Sequence, residues 1–198
     1  MMSFFKKEIQ ISYMMYKEFL PGGDDEEVLE FTDFECSASF DEKMYSGISL
    51  KSEERPTIYI KDSTKRPPDF LSGLGTSLPI VSESVRDFLS NTDEAKYFEF
   101  IEPVLNNYDK EERYFILNIL QVLDAFDWEK SDYDLFDELG PQGNKVISVL
   151  RKTVLESSKT QGRNLFYLKD FPAKLFISEQ LEQAFHRAGI EDFRTLDI

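Results

Sequence analysis

Apolar residues alternate with polar ones along many short stretches of this chain, and at two places they recur at helical spacing instead. Aromatic and β-branched runs bounded by polar, Gly or Pro residues predict strands over KEIQISYMMY (7–16), PTIYIK (56–61), KYFEFIEPVL (96–105) and RYFILNILQVL (113–123). From Tyr114 to Leu123 both alternating faces are apolar apart from Asn118 and Gln121. That pattern reads as a strand covered on both sides, with a short buried helix as the competing reading. Further strands are expected over Lys145–Val154, Leu165–Leu168 and Lys174–Ile177, and turns at Pro21-Gly22-Gly23, Arg66-Pro67-Pro68 and Gly140-Pro141.

The two helical stretches carry their own start signals. Ser82 follows Ile80 and Val81 as an N-cap, Glu83 sits where the helix dipole favours an anion, and Val85, Phe88 and Leu89 share one face. Ser178 and Glu179 repeat that opening after Phe176 and Ile177, with Leu181, Ala184, Phe185 and Ala188 on the apolar stripe and Gly189 as the C-terminal stop. The two openings form a weak repeat, about 96 residues apart, which is far outside the period of stacked-repeat proteins. The fold class expected is α+β: a mixed, largely antiparallel sheet with a few covering helices.

Composition narrows the function. The chain has 198 residues, room for one domain or two small ones, and 18 Phe with 9 Tyr give it ample material for a core. Its net charge of −15 repels phosphate backbones and anionic membranes, so nucleic-acid and membrane binding are not expected and a basic partner is. One cysteine, Cys36, and one histidine, His186, cannot supply a disulfide framework or a His-pair zinc site. Lys6, Lys7, Glu8, Lys17 and Glu18 interrupt any apolar export segment, and nothing approaches the roughly 20 apolar residues of a spanning helix. A soluble cytoplasmic protein is expected.

Two acidic stretches stand out. The first, from Pro21 to Glu42, contains Asp24, Asp25, Glu26 and Glu27 and no Lys or Arg; it reads as a solvated loop with an acidic strand face, or as a docking surface for a basic protein. The second interleaves carboxylates with aromatics: Asp124, Asp127, Trp128, Glu129, Asp132, Tyr133 and Asp134. Its spacing fails as a calcium loop, because Asp137 stands where a Gly is needed and the closing Glu is missing. Either Asp124 or Asp127 accepting backbone N–H groups in a turn is the plainer reading. Gly73-x-Gly75 lacks the remainder of a nucleotide loop, and His186 falls off the apolar stripe of its helix, away from any nucleophile. No cofactor or metal is therefore expected. An enzyme acting through its carboxylates, such as a metal-dependent hydrolase, and an acidic structural subunit are the rival readings.

The order Asp69-Phe70-Leu71, then Pro79-Ile80-Val81-Ser82-Glu83 with its helix, Leu117-Asn118-Ile119-Leu120 running into Asp124-x-x-Asp127-x-Glu129-x-Ser131, Phe166, and Leu175-Phe176-Ile177-Ser178-Glu179 with a helix ending at Ala188-Gly189-Ile190 resembles a family of bacterial immunity proteins of polymorphic and contact-dependent toxin systems. The resemblance covers residues 66–198 and leaves 1–65 as a strand-rich part, a candidate subdomain of the same fold. It implies a non-catalytic inhibitor, encoded beside a toxin, that binds and neutralises that toxin. The partner-binding residues expected are Asp127, Trp128, Glu129, Asp132, Tyr133 and Asp134, with Asp24, Asp25, Glu26 and Glu27 as a second set. The first set is favoured because Trp128 and Tyr133 can anchor an interface. Whether the chain also self-associates stays open.

Overall fold

The computed structural model describes residues 14–23, 27–73, 78–137 and 146–198, with Ala173 by its backbone alone. Strand β1 (Tyr16–Pro21) lies inside a five-stranded sheet, between β14 (Phe193–Asp197) and β13 (Phe171–Ser178); β12 (Leu165–Leu168) and the short β9 (Val122–Leu123) complete it. The second sheet has seven strands in the order β6 (Phe98–Ile101), β8 (Tyr114–Ile119), β5 (Ile80–Ser82), β4 (Phe70–Gly73), β2 (Glu30–Glu35), β3 (Thr57–Ile60) and β7 (Val104–Asn106). A separate ribbon joins β10 (Asp132–Leu135) to β11 (Ile147–Lys152). Among the described strands only β4/β2, β3/β7 and β12/β9 run parallel, so the expected mixed, largely antiparallel α+β architecture is what the chain adopts.

Period-two burial sorts the side chains into layers. On β8, Phe115, Leu117 and Ile119 face one core while Tyr114 and Ile116 face another, which is why every residue of that strand is buried. The first core lies between the two sheets. There Leu165 and Tyr167 of β12 and Leu175 and Ile177 of β13 meet the β8 residues, together with α2 (Glu83–Ser90) and α4 (Glu179–Arg187). Behind the seven-stranded sheet, Phe40 of α1 (Ala38–Lys43) and Leu50 close a second core over Phe31, Ile58, Ile80 and Ile116. Behind the five-stranded sheet, Phe166, Leu168 and Phe176 point outward and are capped by Phe126 and the ribbon.

The local signals at both serines hold. Ser82 Oγ accepts from Val85 N–H at 3.4 Å and Ser178 Oγ from Leu181 N–H at 3.1 Å. Gly189 ends α4 at φ +72°, where a side chain would be strained.

The long run 113–123 is not one strand. β8 stops at Ile119, the chain crosses between sheets at Leu120 and Gln121, and β9 joins the other sheet, where Gln121 O accepts from Tyr167 N–H at 2.9 Å. Likewise 96–105 divides at Pro103 into β6 and β7, on opposite edges of the seven-stranded sheet, because Pro cannot donate to a ladder. The segment before residue 66 threads both sheets, through β1 in one and β2 and β3 in the other. Of the predicted strand 7–16, residues 7–13 lie outside the described residues, as do Gly75 and the Gly140-Pro141 turn.

Candidate functional site

Past β9, buried Ala125 and Phe126 turn the chain off the five-stranded sheet, and Asp127 shapes the turn that follows. Its Oδ1 accepts the N–H groups of Glu129 at 3.2 Å and Lys130 at 3.1 Å, while Oδ2 pairs with Lys130 Nζ at 2.7 Å. The Lys130 ammonium, aided by those N–H groups, holds the Asp127 carboxyl below its ordinary range despite the opposing effect of burial. Ser131 continues the turn, its Oγ accepting from Val154 N–H at 2.9 Å. Asp127 is thus a structural turn residue, as the plainer reading of the sequence had it, and only 7% of it is exposed.

The aromatics beside it form the foot of the ribbon. Phe126, Trp128 and Tyr133 meet edge-on in a triangle, with ring centroids 4.8, 5.2 and 5.8 Å apart. Tyr133 O–H donates to Trp128 O at 3.1 Å, fixing the first strand of the ribbon to the turn. Trp128 and Tyr133 are half-buried, packed with Leu150 and Leu155 against the third core.

On the outer face of the ribbon, Arg151 bridges two carboxylates. Its Nε donates to Asp132 Oδ1 at 2.9 Å, and its two terminal nitrogens donate to Asp134 at 2.7 and 2.9 Å in a bidentate fork. The guanidinium hydrogen bonds hold Asp134 low, and the two carboxylates together raise Arg151. The ladder slips once between Asp132 and Tyr133 and again between Asp134 and Leu135, so β11 carries two extra residues, and bulges of this kind re-aim side chains. Glu129 stands exposed beside a groove of about 620 Å³ running between Asp127–Lys130 and Leu155–Ser158.

The ribbon carries a feature that sequence reading did not single out. Leu135, Phe136, Val146 and Val149 are 37–59% exposed, half of the large apolar side chains exposed to that degree among the described residues. The signal was present as Asp132-Tyr-Asp-Leu-Phe-Asp137, in which the alternation breaks at two adjacent apolar residues. Which face they take depends on the bulges, and those are not written locally.

The other acidic set is dispersed. Asp24, Asp25 and Glu26 lie outside the described residues, and Glu27 is exposed, its carbonyl accepting from Arg66 N–H at 3.1 Å. Downstream, Glu30 pairs with Lys61 at 3.0 Å and Glu35 accepts from Tyr59 O–H at 2.8 Å, on a strand face.

The motif residues converge elsewhere, at the mouth of α2. Asp69 Oδ1 accepts from Ser82 Oγ at 2.9 Å and Ser84 Oγ at 2.8 Å, and its Oδ2 accepts from Glu191 N–H at 2.9 Å. Asp192 accepts from Asp69 N–H at 3.1 Å and from both terminal nitrogens of Arg66. This knot ties the start of α2 to the chain leaving α4, a scaffold role. His186 is exposed and stacks on Phe193 with centroids 5.1 Å apart. Among the described residues no three His, Cys, Asp or Glu side chains gather as a metal site, and no helix is long and apolar enough to cross a membrane.

Two layered sheets, with a two-stranded ribbon packed over the outer face of one of them on an aromatic foot, define an α+β protein. The Immunity protein family (Imm11) matches residues 24–198, and the chain belongs to that family, whose members are generally non-enzymatic and imply a cognate toxin as partner. The match begins before residue 66 and takes in β2, α1 and β3. A comparison with curated proteins finds no significant match.

Proposed function

We propose that this chain acts in the cytoplasm as an immunity protein that binds and neutralises a cognate toxin of basic surface, using the ribbon and its foot as the contact region. Membership of the immunity family carries the functional class. The observation that supports this location is the ribbon's construction. A rigid aromatic triangle fixes its base, and exposed Glu129, Asp132 and Asp134 lie around it with a single Arg151 between the last two. The chain's net charge of −15 speeds encounter with a cationic partner, while the fixed charges of the ribbon, Asp132 and Asp134 against Arg151 and Lys152, favour one orientation of it. An interface of standard size, roughly 1,200–2,000 Å², would take in the ribbon and its surroundings.

Co-expression tests the reading. The toxin domain encoded in the adjoining reading frame, expressed alone, should arrest growth; with this chain it should not, and the two should co-purify in equal amounts. Failure of both protection and binding would remove the immunity assignment for that pair.

A further inference from the structure

We propose that the groove between β13 and β14 is a strand-binding site, filled in this molecule by β1, and that β1 is a separable insert which enters last and which another strand with the same order of side chains can replace. The inference is independent of where a toxin binds.

The topology carries it. β1 pairs antiparallel with β13 over Tyr16–Phe19 and with β14 over Lys17–Pro21, so the first described strand lies between the last two. Among the described strands β1 is the sole neighbour of β14. The family match runs over residues 24–198, which takes in both walls of the groove and leaves out the strand between them. Apart from the two residues of β9, every other strand of that sheet comes from Leu165–Asp197. The walls are therefore close in the chain, whereas β1 reaches them from far away: Lys17 and Glu182 are 165 residues apart. Contacts of such long range form after local ones, because closing the intervening loop costs entropy before the contact rewards it. During synthesis β1 is made first and both of its neighbours last.

The groove reads side chains as well as backbone. On the α4 side Lys17 Nζ lies 2.9 Å from Glu182, a carboxylate only 9% exposed that also accepts from Thr195 Oγ1 at 2.7 Å. On the opposite face of the sheet Glu18 pairs with Lys174. Phe19 enters the first core with its ring centroid 5.3 Å from those of Phe70 and Phe193, and Tyr16 enters the third against Phe166 at 5.4 Å. A slip of one residue turns every side chain to the other face. It would set Glu18 on the side of Glu182 and Lys17 on that of Lys174, and draw Phe19 out of its core. The ligand class is a short extended segment with aromatic, cation, anion and aromatic in succession, the order of Tyr16-Lys17-Glu18-Phe19.

The test keeps the full chain. A protease recognition sequence is inserted after Gly23, the folded protein is cut there, and a fluorescent synthetic peptide of residues 14–23 is added in excess. Gel filtration should show the N-terminal fragment held after cutting and then displaced by the labelled peptide in urea too dilute to unfold the uncut protein. Peptides carrying Phe19→Ala, or Lys17→Glu together with Glu18→Lys, should compete about 10-fold less well or worse. A fragment that leaves only when the whole protein unfolds, failure of the peptide to enter once the fragment has left, a cut protein that keeps its melting temperature without the fragment, or equal competition by the altered peptides would overturn the inference. Hydrogen exchange of the unaltered chain gives a second reading, free of any effect of the inserted sequence. The amides of β1 and β14 should open together at lower urea than those of β8; opening only with the whole molecule would overturn the separability of β1.

Discussion

Arg66 and Asp192, 126 residues apart, form a bidentate ion pair, with Nη2 to Oδ1 at 2.7 Å and Nη1 to Oδ2 at 3.1 Å. Asp192 sits at φ +60° and also accepts from Asp69 N–H, so one side chain closes the chain leaving α4 against the start of β4. Replacing it should separate the two roles. Asp192→Ala leaves the part-buried Asp69 N–H unpaired and strips Arg66 of its ion pair, and should cost about 1–2 kcal/mol in urea unfolding. Asp192→Asn, which tolerates the left-handed conformation and keeps an acceptor, should cost less. Equal losses would mean that the hydrogen bonds do not govern this closure.

The two serine caps should differ. Ser82→Ala removes one long cap and a bond to Asp69 Oδ1, which keeps its bond from Ser84 Oγ, so it should cost about 1 kcal/mol. Ser178 is fully buried, and its hydroxyl also donates to Asn164 Oδ1 at 2.6 Å, so alanine there strands a second polar group and should cost more, about 2 kcal/mol. Chemical denaturation of both variants, with toxin affinity measured alongside, checks the order; affinity should stay unchanged while the protein is folded.

Gly73 lies where β4 passes β2, and a Cβ there would stand 2.3 Å from Phe31 O and 2.5 Å from its ring. Backbone cannot yield as a flexible side chain would, so Gly73→Ala should be among the more damaging single changes, about 3 kcal/mol or insoluble expression. A thermal midpoint near that of the wild type would contradict the packing of these two strands.

Acid should loosen the second core through Glu99. Burial raises this carboxyl, but hydrogen bonds from Ser49 O–H (2.7 Å), Leu50 N–H (3.0 Å) and Asn118 Nδ2 (3.0 Å) outweigh it and leave it below its ordinary value. Its stabilising effect is complete above the unfolded value, about 4.3, and is lost as the pH falls through the lowered folded value. The wild-type melting temperature should therefore drop between about pH 5 and pH 3, and the Glu99→Gln protein, less stable at neutral pH, should lose less over the same interval.

Association with a basic toxin should slow as salt rises, because exposed charges are screened beyond about 10 Å at 0.1 M ionic strength, while dissociation changes little. Stopped-flow rates that are flat across salt would remove electrostatic steering from the account.

Much of the scaffold was legible locally. A serine before an acidic residue and an apolar stripe is a statement about the first turn of a helix, and both such helices form where that pattern predicts. Two-sided apolar alternation likewise marked β8 as a covered strand, since side-chain direction along a strand is set by the residue next to it. Charge and the lack of histidine and cysteine narrowed the chemistry without reference to shape.

Partnership was decided only by the tertiary structure. The run 113–123 reads as one strand, yet it divides between two sheets, because where a strand ends depends on which neighbour offers hydrogen bonds. Asp127 and Asp134 are alike in sequence, but one is spent on a turn and the other on Arg151. The exposure of Phe136 and Val149 follows from the ribbon's bulges and from what its other face packs against. The sequence by itself determined the local periodicities, the caps and the net charge, all of which act between near neighbours or as sums. Which acidic and apolar groups stay exposed was settled by contacts between residues far apart in the chain, and no local pattern encodes those.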